Sequence, residues 1–339
     1  MLKRREFLKI GGFGVGSVVI KPKSAFSLFE KAESVDQNQV KSFDKSGLES
    51  LEGVTPVKEF YVKTNVDTPS INMERWNLTV GGLVKRPKVF NYEDILNLPA
   101  KSEFVTLECV GNSPGGKLMG NALWTGVPLK TIIDIVEPDD SCTDVVFYCK
   151  SDYSDSIPLK KAKKSYNLLA YKMNNSNLTL KHGYPLRVIV PGIHGMKSVK
   201  WLNKIEFVKE EYKGYYQKRG WSKEAVIDVN SRIDAPFHGQ PLSEKTYLTR
   251  GVAFAGISGI KKVEISGDGG ESWQEANLKP PLSPYSWVLW EHAWEPPGEG
   301  EYDLTVRAMD KNGIPQEEKH KSAFPDGSGG LHSVNINVR

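Results

Sequence analysis

Residues 108–118 read ECVGNSPGGKL, and two folds compete for that stretch. Gly111, four intervening residues, Gly116 and Lys117 nearly spell the phosphate loop of a nucleotide-binding α/β domain, whereas Cys109, just after a strand-like run, reads as a soft metal ligand. A phosphate loop needs a hydroxyl directly after its lysine to hold magnesium, and a helix beginning there to aim amides at phosphate. Leu118 has no hydroxyl, and the adjoining MGNALWTG, with Gly120 and Asn121 at its start, does not read as a helix. The thiolate reading therefore stands. A cysteine at the end of a strand, opening into a Gly-rich loop, holds a soft ligand on a rigid element and leaves room for a cofactor.

Outward from the loop, WNLTVGG (Trp76–Gly82) and EFVTLECV (Glu103–Val110) read as strands. YEDILNLP (Tyr92–Pro99) and PLKTIIDIV (Pro128–Val136) read as helices, the second with Pro128 at a first-turn position. These alternating pieces make residues 59–230 a mixed α and β domain. From residue 231 the pattern changes to closely spaced strands with hairpin punctuation: KKVEISGDGGESW around Asp268-Gly269-Gly270, then SWVLWEHAW and EYDLTVRAMDKNG. Tyr302 stands where immunoglobulin-like domains place a tyrosine corner. The expected fold class is α+β, a mixed domain followed by an immunoglobulin-like β-sandwich over residues 231–339. Residues 28–58 are polar and are expected to wrap the surface loosely.

The net charge of +4 belongs to the first 27 residues, where Lys3, Arg4, Arg5, Lys9, Lys21 and Lys23 face Glu6 alone; the rest holds 39 basic and 40 acidic residues. A body so close to neutral has no broad footprint for a phosphate backbone, and no nucleic-acid partner is expected. The start itself, with Arg4-Arg5, then Glu6-Phe7-Leu8-Lys9 and a glycine-diluted apolar run from Ile10 to Ile20, resembles a twin-arginine export signal. That apolar run is too short to span a bilayer comfortably. The resemblance implies a signal peptide over residues 1–27 and a protein exported folded, cofactor already inserted, to the periplasm or the outer face of the cytoplasmic membrane. Ala25-Phe26-Ser27 is only a loose cleavage pattern, which leaves an uncleaved tether open.

Three cysteines, Cys109, Cys142 and Cys149, do not make a disulfide framework, and Cys149 in DVVFYCK reads as a buried free thiol. The chain has no Cys-x-x-Cys-His for a covalent haem and too few cysteines for a four-thiolate cluster. Electrons, if this protein moves them, are expected to leave to a separate partner. His238, His292 and His320 lack metal-ligand spacing, and Trp273, Trp287, Trp290 and Trp294 read as core or interface rather than relay.

Several separated stretches resemble the sulfite oxidase family of molybdenum-cofactor oxidoreductases: TLECVGN (Thr106–Asn112), LWTGVPLKTII (Leu123–Ile133) and HGYPLRVIVPGIHGMKSVKWLNKIEF (His182–Phe207). The C-terminal sandwich resembles that family's dimerisation domain. The resemblance implies molybdenum with one molybdopterin, no haem in this chain, and Cys109 as the ligand to the metal. It also places His182, Arg187, Lys197, Ser198 and Lys200 near the pterin and its phosphate, where arginine offers a planar fork and lysine a point charge. Leu186, Val188 and Val190 alternate as core.

FYVKTNV sets Lys63 and Asn65 at the family's arginine and histidine, Lys63 toward substrate and Asn65 toward the cofactor. YYQKRGW sets Trp221 at its metal-side tyrosine. Lys117 and His194 fall in loops next to the expected site. The chain departs from animal and plant sulfite oxidases in having Ser113 and Pro114 where they carry two arginines, and FPDGSGGLHSV supplies no C-terminal arginine.

The implied activity is oxygen-atom transfer, best read as oxidation of sulfite or a related sulfur compound, with electrons passed to an external cytochrome or other redox protein. The missing cations keep open the reduction of neutral S-oxides or N-oxides. A non-catalytic exported binding module is the reading of another class, but it has no use for Cys109 or for the cationic block. A homodimer through the C-terminal domain is expected, with membrane contact only through a retained leader or a haem partner.

Overall fold

The computed structural model describes residues 51–243 and 245–339. The expected signal peptide and residues 28–50 of the polar extension lie outside the described residues. The strands, in chain order, are β1 (Leu78–Gly82), β2 (Lys88–Phe90), β3 (Lys101–Glu108), β4 (Met119–Pro128), β5 (Asp144–Cys149), β6 (Ser154–Pro158), β7 (Leu168–Met173), β8 (Ser176–Asn177), β9 (Arg187–Ile189) and β10 (Leu202–Val208). One sheet runs β2-β1-β10-β5-β6, and a second runs β3-β4-β7-β8 with β9 also paired to β7.

Strands dominate this mixed domain, because its helices are short: α1 (Tyr92–Leu96), α2 (Leu129–Val136) and α3 (Leu159–Ala162). Asn91 opens α1 with a reciprocal capping box to Asp94, which satisfies donors that a one-turn helix leaves free. In α2 the residues Leu129, Ile132, Ile133 and Val136 form the buried stripe, while Lys130 and Asp134 pair on the outer face at 2.8 Å. Pro128 ends β4 and stands just before the first turn rather than inside it. Leu186, Val188 and Val190 are fully buried in this core, together with Trp201, Leu202 and Phe207.

β3 and β4 pair antiparallel from Lys101↔Gly126 to Glu108↔Met119, so residues 109–118 are the connection of a hairpin, and the chain beyond Leu118 is a strand rather than a helix. Cys109 N donates to Leu118 O at 2.9 Å, and Leu118 N donates to Asn112 Oδ1 at 2.9 Å, closing the loop on itself.

The second part is a sandwich of β11 (Asn230–Ala235), β12 (Pro241–Leu242), β13 (Tyr247–Phe254), β14 (Ile260–Ser266), β15 (Gln274–Glu275), β16 (Asn277–Leu278), β17 (Val288–Trp294), β18 (Gly300–Asp310) and β19 (His332–Val338). Its sheets run β11-β13-β17-β16 and β12-β19-β18-β14-β15, and Ala253, Val263, Trp290, Leu304, Val306 and Ile336 fill the space between them. The Tyr302 hydroxyl donates to Gly298 O at 3.0 Å, the back-bond of a tyrosine corner. Trp287, Trp290 and Trp294 are buried, and Trp273 lies under the Arg307 guanidinium at 4.0 Å.

Met119, Ile227, Val252, Phe254 and Trp287 join the two parts in one apolar cluster. Residues 51–58 differ from the expected loose wrapping. Val54 is buried, Gly53 O accepts from both Asn121 Nδ2 and Trp287 Nε1, and Asn174 Nδ2 donates to Thr55 O. Backbone groups thus share the anchoring of the segment with the side chains of Leu51, Val54, Thr55 and Val57.

Candidate active site

A cavity of about 750 Å³, its open mouth included, brings together Cys109, Lys63, Asn65, His182, Arg187, Ser198 and Lys200. The fold explains the convergence. Cys109 comes directly after the last residue of β3, Arg187 opens β9, His182 ends the 3-10 turn Leu180–His182, and Ser198 comes directly after the 3-10 turn Gly195–Lys197.

Arg187 is the centre of this arrangement. Its guanidinium is buried, donates to His182 O at 2.9 Å and to Ser198 O at 3.1 Å, and lies 4.9 Å from the Trp124 ring centroid. Its Nε has no hydrogen-bond partner among the described residues. Burial lowers its pKa to about 10, and no carboxylate among the described residues lines the cavity to balance it. His182 Nε2 donates a hydrogen bond to Val57 O at 3.1 Å; burial first, then the Arg187 charge, pushes the ring's pKa down to about 4 and keeps it neutral. Lys200 donates to the carbonyls of Lys63 and Lys181, and burial followed by Arg187 lowers its pKa to about 8. Ser198 Oγ accepts from Val190 N.

The Cys109 thiol is buried, and burial raises its pKa against the opposing pull of the Gly111 amide and the Lys63 charge. Lys63 itself is exposed at the mouth. Asn65 Nδ2 donates to the Tyr216 hydroxyl.

Two expected residues stand elsewhere. Lys197 is 1% exposed and turned away from the cavity, with Nζ 2.6 Å from Asp155 Oδ1 and 3.2 Å from Ser156 O, so its charge is consumed by a buried ion pair. Trp221 packs edge-on against Tyr216 at 5.7 Å and Phe324 at 5.3 Å; Tyr216, five residues earlier, occupies the cavity wall in its place. The nearby loop residues also stay outside. Lys117 is exposed, and His194 is buried beneath Gly327, whose Cβ, if present, would meet its ring nitrogen at 2.7 Å.

Sequence reasoning missed Tyr61, Tyr153, Lys181 and Cys149, all of which line the cavity. Tyr61 was within reach, since it belongs to the same FYVKTNV segment as Lys63. All three cysteines are free, and Cys149, expected as plain core, also faces the cavity. Ser113 and Pro114 line a separate hollow facing Ser328, Gly329 and Gly330; there Arg232 of the sandwich donates to Gly116 O at 2.8 Å and pairs with Asp234.

Residues 65–216 match the oxidoreductase molybdopterin binding domain, and residues 222–324 match the Mo-co oxidoreductase dimerisation domain. A buried, unneutralised arginine fork beside neutral histidine, lysines and the free thiols of Cys109 and Cys149 is a donor set suited to that cofactor's phosphate and metal. The chain is 30% identical over 299 residues to sulfite oxidase of Arabidopsis thaliana, covering 70% of this chain and 76% of the relative. It is 32% identical to mitochondrial sulfite oxidase of Drosophila melanogaster, covering 80% and 57%, and 29% identical to inducible nitrate reductase [NADH] 2 of Glycine max, covering 78% of this chain but 37% of that one. The chain thus spans little more than a third of the nitrate reductase. The sulfane dehydrogenase SoxCD of Paracoccus pantotrophus shares the fold, with a TM-score of 0.73, 21% identity and coverage of 96% of this chain and 100% of that one. The chain belongs to the sulfite oxidase family and is a molybdopterin-dependent oxidoreductase whose cofactor is molybdenum with molybdopterin.

Proposed function

We propose that this enzyme, exported by the twin-arginine route, transfers an oxygen atom on a small sulfur compound, sulfite or a related oxyanion, and passes the electrons to a separate cytochrome or other redox protein, working as a homodimer through its C-terminal domain. The observation that carries this reading is the charge of the cavity: Lys63, Lys181, Arg187 and Lys200 line it and no carboxylate among the described residues does. Such a wall favours anions, both the cofactor's phosphate and an oxyanion substrate. The bound cofactor supplies two-electron oxygen-atom chemistry. The chain's own groups bind and orient around it.

In this reading Cys109 ligates the metal and loses its proton on doing so, because metal ligation needs the thiolate. Arg187, His182, Ser198 and Lys200 hold the pterin side, and Lys63 at the mouth draws the anion in. The neutral His182, its one N–H given to Val57 O, adds no charge that would repel Arg187.

The test is sulfite-dependent reduction of an artificial electron acceptor by protein whose molybdenum content is verified near one per chain. Turnover that vanishes in Cys109→Ser supports the reading. No turnover at full loading overturns it and shifts the assignment to reduction of neutral S-oxides or N-oxides, which the apolar walls Phe60, Val62, Val110 and Met196 would suit.

A further inference from the structure

We propose that Tyr61 is a binding residue of this site: its hydroxyl donates a hydrogen bond to an oxygen of the anionic ligand seated beside Cys109. The inference rests on the oxyanion reading of the cavity and adds a residue to it. Tyr61 lines the cavity with Cys109, Arg187 and Tyr216. Its ring is held in place by stacking on Phe60 at 5.3 Å and 18°, and Phe60 is itself clamped edge-on by Trp124 and His182.

Several other donors of the cavity are committed, although Arg187 Nε is not. Arg187 and Lys200 donate to backbone carbonyls, and Asn65 donates to Tyr216. The Tyr61 hydroxyl makes no hydrogen bond to any described residue. The phenol is half-buried with no acceptor in the protein, so a ligand oxygen entering the cavity gains its hydrogen bond without breaking one within the protein.

Gly195 shows that the site is shaped around this hydroxyl. A Cβ there would stand 2.9 Å from Tyr61 Oη and 3.4 Å from the carbonyl oxygen of Glu108, the residue before Cys109. Only a bare backbone lets the phenol lie against the base of the cysteine loop. A phenol ordinarily keeps its proton up to about pH 10, so it remains a donor across the working range.

The experiment compares wild-type holoenzyme, Tyr61→Phe, Gly195→Ala and the double variant, each with molybdenum per chain measured. The readout is the dissociation constant of inorganic sulfate, from the visible absorption of the oxidised enzyme. Tyr61→Phe is expected to retain its metal and to weaken sulfate by about tenfold, the loss of one charge-assisted hydrogen bond. Gly195→Ala is expected to do the same by displacing the phenol, and to add less than about twofold once the hydroxyl is gone, because the two changes then remove one interaction.

Equal sulfate affinity in wild type and Tyr61→Phe overturns the proposal. So does fully additive loss in the double variant, or a wild type that does not bind sulfate. The measurement needs no turnover, so an enzyme that binds sulfate through Tyr61 yet does not oxidise sulfite would sink the substrate assignment and leave this one standing.

Discussion

Cys109 and Arg187 reach the same cavity by opposite routes, one at the end of a long strand and one at the start of a short one. Each makes a separate prediction. Serine at position 109 keeps the size of the side chain and its place in the hairpin connection but replaces a soft donor with a hard one. Cys109→Ser is therefore expected to fold with an unchanged thermal midpoint and to lose at least about 100-fold in kcat, more than the loss typical of an outer residue around a metal. Arg187→Lys is expected to fail differently. A lysine cannot reproduce a fork that spans two carbonyls and stacks on Trp124. Metal analysis of the purified variant should show molybdenum content reduced several-fold, while the few loaded molecules turn over at nearly the wild-type rate.

The turn Gly195–Lys197 carries Met196 and, next to it, Ser198 into the cavity, and it is pinned to β6 from behind. Lys197 meets Asp155 there, and the Tyr153 hydroxyl donates to Met196 O at 2.6 Å. Lys197→Met leaves Asp155 buried without its partner and should cost about 3–5 kcal/mol in urea unfolding, whereas Lys197→Met with Asp155→Leu should recover most of that loss. An unfolding midpoint unmoved by Lys197→Met would show that the pair does not hold the turn. This element also shows where sequence reasoning stops. β1, β3 and α2 were legible because their apolar spacing is a local property, and the rejection of a phosphate loop at residues 109–118 came from a missing hydroxyl and a missing helix. Lys197 was not legible as an ion-pair residue, because the partner that buries it lies 42 positions away on another strand. Trp221 and Tyr216 belong to the same aromatic segment, and spacing alone does not say which ring turns inward. Residues 51–58 were illegible for a third reason, since much of their anchoring is through backbone carbonyls, which have no sequence signature.

The two parts of the molecule meet around the cysteine loop, so conditions that loosen their packing reach the site. The apolar cluster of Met119, Ile227, Val252, Phe254 and Trp287 belongs to that junction, and Trp287 also ties it to Gly53. His194 lies in the same region, buried, with the carbonyls of Glu108 and Asp326 opposing but not cancelling the burial that lowers its pKa to about 4. His182 in the cavity is lowered to about the same value. Both histidines thus bind a proton less readily folded than unfolded, where the ordinary value is about 6.5. As pH falls through 6.5 the unfolded chain takes up protons that the folded chain refuses, and stability declines until the folded rings protonate near pH 4. Above about 6.5 neither ring contributes a pH dependence. A depression of this size corresponds to about 3 kcal/mol per ring across that window. His194→Asn removes one titrating group while keeping an amide able to donate to a carbonyl. Its unfolding free energy, measured in urea from about pH 7 to about pH 4, should therefore fall with roughly half the wild-type slope attributable to these two rings. A variant whose acid limb is as steep as the wild type's would place the pH sensitivity of the molecule elsewhere than at this junction.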